Sequence, residues 1–147
     1  MPSIKSQIIA RLLDLASPLL TEGKFRLIVR KSAPLLLEAV KPAIHLVVGD
    51  ESVVSQAEDI RGYLMEFPAI FQLIVSDVKD PYSLADDSVA FLQEKIETDP
   101  QLSGLVNCIK YDGETPLTTE TEKPVGYTLV TYLIQYRRLR GNPSQQY

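Results

Sequence analysis

Two segments of this chain place apolar side chains on both sides of an extended backbone, and this pattern restricts the fold more than any other feature. The longer one, Val125–Tyr136, is rich in β-branched and aromatic residues, which favour strands. The other, Phe67–Ser76, has the same pattern after Pro68, which lacks an N–H and belongs at a strand edge, a strand start or a bulge. We expect helices of this chain on one face and a neighbouring subunit on the other. The residues expected on the second face are Ile70, Ile74, Val130 and Ile134.

Two segments with apolar residues three and four positions apart predict the helices that cover the sheet. The first is Ile4–Ala16, with Ser3 as its N-cap, and the following Ser17–Pro18 pair stops it. The second begins at a capping box, Ser83–Asp86, and ends near Thr98. The residues that it is expected to bury are Ala85, Val89, Leu92 and Ile96.

Shorter apolar segments predict the remaining strands and complete the expected fold. These strands are Phe25–Lys31, Ala43–Val48, Arg61–Met65 and Val106–Tyr111. Gly49–Asp59 and Glu114–Lys123 are polar and are expected to be loops, whereas Ser32–Pro42 fits either a helical turn or an apolar loop. The order predicts an α+β domain: a mostly antiparallel sheet of about four to five strands with two main helices packed on one face. We place this domain at residues 1–137 and a flexible, basic and polar tail at 138–147.

The charge of the chain is unevenly distributed. Its 147 residues carry a formal net charge of −4. Residues 1–49 contain seven Lys/Arg and three Asp/Glu, a net +4, whereas residues 50–147 contain eight and sixteen, a net −8. Two interpretations stay open: differently charged faces of one solvated domain, or head-to-tail association of copies, because complementary patches steer encounter. The net negative charge argues against a nucleic-acid-binding protein, because the affinity for nucleic acid comes largely from neutralising its phosphates with Lys and Arg.

Residues that commonly perform catalysis or bind metals are sparse in this sequence. One cysteine, Cys108, and one histidine, His45, are too few for a zinc or iron–sulfur site, and we expect Cys108 to be a small packing residue in a strand. No G-x-G motif exists to cradle phosphates. We therefore expect no enzyme activity, no cofactor and no metal, although carboxylates alone could bind a hard cation. No apolar run approaches the ~20 residues of a membrane span, and no signal peptide is recognisable.

A series of packing and turn patterns in the C-terminal half occurs in the order found in a known family. The segments are Phe67–Ser76, Asp80–Pro81, the helix Ser83–Thr98, Asp99–Val106, Ile109–Tyr111, a polar hairpin loop and Tyr127–Arg137. With these segments the chain resembles the tail terminator proteins of long-tailed bacteriophages, the minor tail proteins that close the growing tube. The stretch Asp80–Tyr111 is the most telling, and the N-terminal helix followed by strands fits the family as well.

The resemblance implies a structural protein of the virion that is assembled in the host cytoplasm and needs no membrane. Members form a homohexameric ring on the last ring of the tail tube protein, stop polymerisation, and present a surface to the head–tail connector or neck protein. In a contractile tail the sheath protein is a further partner. DNA passes through the lumen without being gripped, and the acidic residues 50–147 would suit a lumen that repels phosphate.

The residues expected at such interfaces are charged or apolar residues of the predicted strands, loops and tail. They are Arg26, Arg30, Asp50, Glu51, Glu58, Asp59, Ile70, Ile74, Glu114, Leu117, Glu120, Glu122, Arg137, Arg138 and Arg140. Two alternatives stay open at this point. One is a neck or tail-completion protein bound to the connector, and the other is a small-ligand-binding α+β module, which a pocket lined by His45 and nearby carboxylates would favour.

Overall fold

Two strands of fifteen residues each form the centre of the molecule. The computed structural model describes residues 2–32, 41–55, 62–76, 81–119 and 125–146. In chain order the elements are α1 (Ile4–Ala16), α2 (Pro18–Thr21), β1 (Leu27–Lys31), β2 (Ala43–Val48), β3 (Ser52–Ser55), β4 (Gly62–Ser76), α3 (Pro81–Ile96), β5 (Cys108–Thr119) and β6 (Val125–Leu139). Strands β4 and β6 are antiparallel and pair without a break from Gly62 opposite Leu139 to Ser76 opposite Val125. Their central place explains why both carry apolar residues on two sides.

The described strands form one six-stranded sheet in the order β1-β2-β4-β6-β5, with β3 also paired to β4. Strands β1 and β2 are parallel, and every other pair is antiparallel. Helices α1 and α3 pack on one face of the sheet, where their buried residues join those of β2, β4 and β6 in a single core. The expected α+β fold, with a mostly antiparallel sheet and two main helices on one face, is confirmed.

The helices follow the predicted apolar pattern closely. The Ser3 hydroxyl accepts the N–H of Ser6 at 3.1 Å and caps α1, as expected. The four residues predicted to be buried on α3 are all buried: Ala85, Val89, Leu92 and Ile96. The capping-box prediction was wrong, because α3 already begins at Pro81 and Ser83 therefore lies inside its first turn. Pro18 ends α1 but also begins the short helix α2, where its missing N–H costs no hydrogen bond.

The four residues predicted to share the second face of the sheet lie on two different faces. Val130 lies opposite Phe71 and Ile134 lies opposite Phe67, so both are buried in the core beneath the helices. Ile70 and Ile74 lie on the other side; Ile74 is fully buried within this chain, and only Ile70 is half-buried. The pattern within each strand was right, but a shift of one residue in register exchanges the two faces, and the sequence of separate strands does not fix that register. A neighbouring subunit is therefore not needed to bury Ile74, Val130 or Ile134.

The strands are longer than predicted, and two of them include segments predicted as loops. Arg61–Met65 and Phe67–Ser76, predicted as separate strands, form one strand, β4, over the described residues 62–76. The predicted loop Gly49–Asp59 contains β3, and the predicted loop Glu114–Lys123 begins as the second half of β5, which passes through a bulge between Tyr111 and Gly113. Threonine-rich polar segments suit a strand when a long partner is available for pairing, and β6 provides it.

Pro68 lies inside the central strand β4 rather than at a strand start, an edge or a bulge. It faces the gap where pairing along one edge of β4 changes from β2 to β3. Its carbonyl accepts the N–H of Gly49 at 2.9 Å, and Gly49 is so close that a β-carbon there would lie 2.4 Å from Cγ of Pro68. The missing N–H therefore costs no ladder hydrogen bond, and Gly49 provides the room for the proline ring.

The boundary that we placed at residue 137 falls inside β6, which continues to Leu139. The following residues are hydrogen-bonded to the domain: the Ile4 N–H donates to the Pro143 carbonyl at 2.9 Å, and Nε2 of Gln146 donates to the carbonyls of Gly104 and Leu105. Most of the ambiguous segment Ser32–Pro42 lies outside the described residues.

Candidate assembly surfaces

The structure distributes the predicted interface residues over five places instead of one patch. In chain order these are the β1 edge with Arg26 and Arg30, the link between β2 and β3 with Asp50 and Glu51, β4 with Ile70 and Ile74, β5 with Glu114 and Leu117, and the end of β6 with Arg137, Arg138 and Arg140. Of Leu117 only the backbone is described, opposite Tyr127. Outside the described residues lie Glu58, Asp59, Glu120 and Glu122.

The edge strand β1 carries a concentration of positive charge. Lys24, Arg26 and Arg30 are exposed and Lys31 is half-buried, and no acid interrupts residues 24–31. The ammonium of Lys24 lies 4.3 Å from the centre of the Phe91 ring on α3, a cation–π contact that holds it against the helix. Within the described part of the chain, Arg26 and Arg30 have no ion-pair partner. We call residues 24–31 the basic edge.

Strand β5 forms the opposite edge of the sheet and has a different character. Asp112 and Glu114 are exposed on it, and Tyr111 is 40% exposed although it is aromatic. Beside this strand a crevice of about 50 Å³ opens between the end of α3, the following turn and the sheet. Its lining residues are Ile96, Glu97, Pro100, Ile109, Tyr111 and Tyr132. We call this place the β5 crevice.

Tyr132 is the unusual residue of the β5 crevice. It is 1% exposed; its ring packs edge-on against Phe71 at 6.1 Å and in a tilted arrangement against Tyr111 at 5.7 Å, measured between ring centres. Within the described residues its hydroxyl is buried without a hydrogen-bond partner. Burial and the nearby Glu97 carboxylate raise the pKa of Tyr132, so the phenol stays protonated. A buried hydroxyl without a partner is costly, which marks this atom as one that gains from a further contact.

The turn after α3 is fixed by an interaction that the sequence analysis missed. Leu102, Ser103 and Gly104 have φ values of 47°, 58° and 85°, a left-handed run that non-glycine residues rarely adopt. The Asp99 carboxylate stabilises it by accepting the Ser103 N–H at 3.1 Å and by binding Nε and a terminal guanidinium nitrogen of Arg11, each at 3.1 Å. The Ser103 N–H and the Arg11 guanidinium lower the pKa of Asp99. This turn supplies Pro100 to the β5 crevice.

At the end of the sheet where β4 begins, two predicted interface arginines are held by an aromatic ring. The guanidinium carbons of Arg138 and Arg140 lie 4.9 and 5.1 Å from the ring centre of Tyr63. Nearby on β3, Val53 and Val54 are 37% and 45% exposed. This end therefore combines stacked cations with exposed apolar side chains.

Glu51, predicted at an interface, is engaged inside the molecule. It accepts the Tyr136 hydroxyl at 2.6 Å, and the Lys5 ammonium lies 3.8 Å from the same oxygen. Burial and the Glu51 carboxylate raise the pKa of Tyr136. Glu51 thus links α1, the β2–β3 connection and β6, and its contribution is to the stability of the fold.

The residues considered for catalysis do not meet. His45 is fully buried on β2 opposite Gln72, whereas Cys108 is exposed at the start of β5, with β4 and β6 between these two strands. The expectation that Cys108 is a packing residue within a strand was therefore wrong. Among the described residues no group of three or more His, Cys, Asp or Glu could hold a metal ion. A search of the helices in the same residues found none of the length and apolar character needed to cross a bilayer.

Comparisons with known proteins give a weak structural similarity and no sequence match. No family model and no curated protein sequence matches the chain. A chain in the solved structure of the virion of a native gene transfer agent particle is similar, with 14% sequence identity, a TM-score of 0.48 and coverage of 92% of both chains. A likeness at this identity and TM-score carries no argument about function. The class that the fold itself defines is an α+β domain whose sheet has one basic edge strand and one edge strand with exposed acids.

Proposed function

We propose that this chain is a structural protein of a phage-like particle and acts by assembling as a ring of identical copies. The observation that carries the proposal is the placement of unlike charge on the two edges of one sheet. The basic edge includes β1, whereas the exposed Asp112 and Glu114 outnumber the exposed Lys110 on β5, at the other end of the strand order. When the basic patch of one copy binds the acidic patch of another, the pair still has one free patch of each kind at its two ends. Further copies therefore add until the assembly closes into a ring or continues as a filament.

The resemblance to tail terminator proteins supports the ring and gives it a role. In this role the ring caps the tail tube, ends its polymerisation and provides the docking surface for the head–tail connector. No enzymatic step is needed for any of these tasks. The segment Asp80–Tyr111, which is the most telling part of the resemblance, includes α3, the turn fixed by Asp99 and the start of β5. It therefore also includes most of the residues that line the β5 crevice.

A lumen for DNA is compatible with the charge distribution of the chain. The net charge of −8 on residues 50–147 repels phosphate, so DNA would slide through the ring rather than bind to it. The partners of the ring are then the tube protein on one side and the connector on the other, with the sheath protein added in a contractile tail.

The test is the assembly state of the purified chain, alone and with the tail tube protein of the same particle. Sedimentation velocity gives the mass of the species, and negative-stain microscopy shows its shape. We expect rings of identical copies that form alone or on tube ends, and tubes of limited length when the chain is present. A chain that stays monomeric at every concentration, even with tube protein, refutes the proposal. Binding to the connector without any binding to the tube protein would favour the neck-protein alternative.

A further inference from the structure

The β5 crevice has the chemistry of a site for a planar cation. The Glu97 carboxylate supplies negative charge, and the exposed Tyr111 ring offers a face for cation–π stacking. The unpartnered hydroxyl of Tyr132 offers lone pairs to an N–H donor. A guanidinium satisfies all three at once, because it is planar, permanently charged, a donor of several N–H groups and weakly hydrated. The crevice volume of about 50 Å³ exceeds the space that one water requires.

The chain itself carries an arginine of the right kind on the opposite edge of its sheet. Arg30 lies within β1, opposite Leu46, which belongs to the core beneath the helices. Arg30 therefore lies on the helix side of the sheet, as does Tyr111, which is paired with the buried Tyr132. Beside Arg30 is a shallow open depression that Lys31, Ser32 and Val48 also line.

Arg30 cannot reach the β5 crevice of its own molecule. Four strand-to-strand steps separate β1 from β5, which corresponds to about 19 Å at about 4.8 Å for each step. A second copy placed head to tail brings the two edges together without any change of fold. The contact would rest on side chains rather than on added strand pairing, because Lys110, Pro116 and the bulge at Tyr111 are features that discourage strands from extending a sheet at its edge.

We propose that the β5 crevice accepts Arg30 of a second copy, with its guanidinium paired to Glu97, stacked on Tyr111 and hydrogen-bonded to the Tyr132 hydroxyl. This inference rests on the proposed ring and specifies the contact that closes it. Each copy donates one arginine and accepts one, so the contact is heterologous and repeats around a ring. Because the pair is removed from solvent in the assembly, it is screened less by salt than exposed charges are.

The test compares the self-association of variants with that of matched controls, using sedimentation equilibrium of the full chain. Arg30→Gln and Glu97→Gln should each weaken the association constant by about tenfold or more, as expected for one partner of a desolvated charge pair. The control Glu94→Gln removes the same charge from α3, near Glu97, and it should have little effect. Arg26→Gln removes one charge from the basic edge but leaves the proposed guanidinium contact intact, so it should weaken association less than Arg30→Gln does. The exchange of charges in the double variant Arg30→Glu with Glu97→Arg should recover much of the lost association.

Tyr132→Phe separates this contact from a structural role. It removes an unpartnered hydroxyl, so thermal stability of the monomer should stay the same or rise, whereas association of the copies should weaken. Equal loss of association in the controls, or unchanged association in Glu97→Gln and Tyr132→Phe, would overturn the inference while leaving the ring intact. A wild-type chain that does not associate, alone or with tube protein, would overturn both proposals together.

Discussion

Replacing Asp99 by alanine should destabilise the domain by about 2–3 kcal/mol, although the residue lies in a surface turn. The carboxylate accepts the Ser103 N–H at 3.1 Å, and it is half-buried, so this charged hydrogen bond is worth about 1.5 kcal/mol. The pair with Arg11 is partly exposed, with 36% and 23% of the two side chains accessible, and adds about 1 kcal/mol or less. The left-handed residues Leu102 and Ser103 also lose their stabilising acceptor.

Urea unfolding at pH 7, followed by circular dichroism, measures this free energy. For a domain of this size, 2–3 kcal/mol corresponds to a fall in melting temperature of about 4–12 °C. Asp99→Asn should cost less, because its amide keeps one oxygen for the Ser103 N–H. Asp14→Ala is the matched control, since Asp14 is exposed on α1 and should leave the free energy of unfolding nearly unchanged. A loss below about 0.5 kcal/mol for Asp99→Ala, within the range of ordinary surface substitutions, would refute the reasoning.

The same substitution gives a defined pH dependence. The hydrogen bonds of the folded state lower the pKa of Asp99, so its contribution to stability is fully present above the unfolded pKa of about 4. As the pH falls through the lower folded pKa, the contribution is lost. The difference between the wild type and Asp99→Ala should therefore be constant from neutral pH down to about pH 5 and should shrink in more acidic solution. A difference that stays constant throughout the acidic range would contradict the assignment.

Three further substitutions test the fold. Gly49→Ala should cost about 1–3 kcal/mol, because the new β-carbon would lie 2.4 Å from Cγ of Pro68; a neutral result in urea unfolding would contradict this close approach. Ile134→Ala should cost about 2–5 kcal/mol and Ile70→Ala clearly less, since only Ile134 is fully buried; equal losses would contradict the strand register. Ser3→Ala should cost about 1 kcal/mol by removing the N-cap of α1, and Ser3→Thr, which keeps the hydroxyl, is its control.

Local sequence patterns predicted an element well where nearby residues fix its ends or its buried face. Strand β2, Ala43–Val48, was predicted with its observed bounds because Pro42 and Gly49 enclose an apolar run. The buried stripe of α3 followed from its helical spacing alone. By contrast, β3 has only four residues and the second half of β5 is polar and contains threonines. Both are strands because β4 and β6 are long enough to pair with them.

The candidate site was less predictable, because it depends on contacts between distant parts of the chain. The pairing of Arg11 with Asp99 spans 88 positions, and no local pattern indicates it. Glu97 and Tyr132 are ordinary residues of a helix end and a strand until the register places Tyr132 opposite Tyr111. The basic edge could be predicted from charge alone, since residues 24–31 contain four cations and no acid. Its relation to the opposite edge required the strand order.

The unbroken pairing of β4 with β6 has a consequence for how the molecule comes apart. Strands β2 and β3 pair with β4, and β5 pairs with β6, while β1 is joined to this centre through β2. Helix α3 packs on both β4 and β6. No sub-domain can separate without opening this central ladder, so denaturation should be a single cooperative transition. In a hydrogen-exchange experiment the amides near Phe71 and Val130 should open only when the whole domain does, and those at the outer edges of β1 and β5 should exchange first. The two edges proposed to bind other copies are thus the parts whose amides association of the copies would protect from exchange.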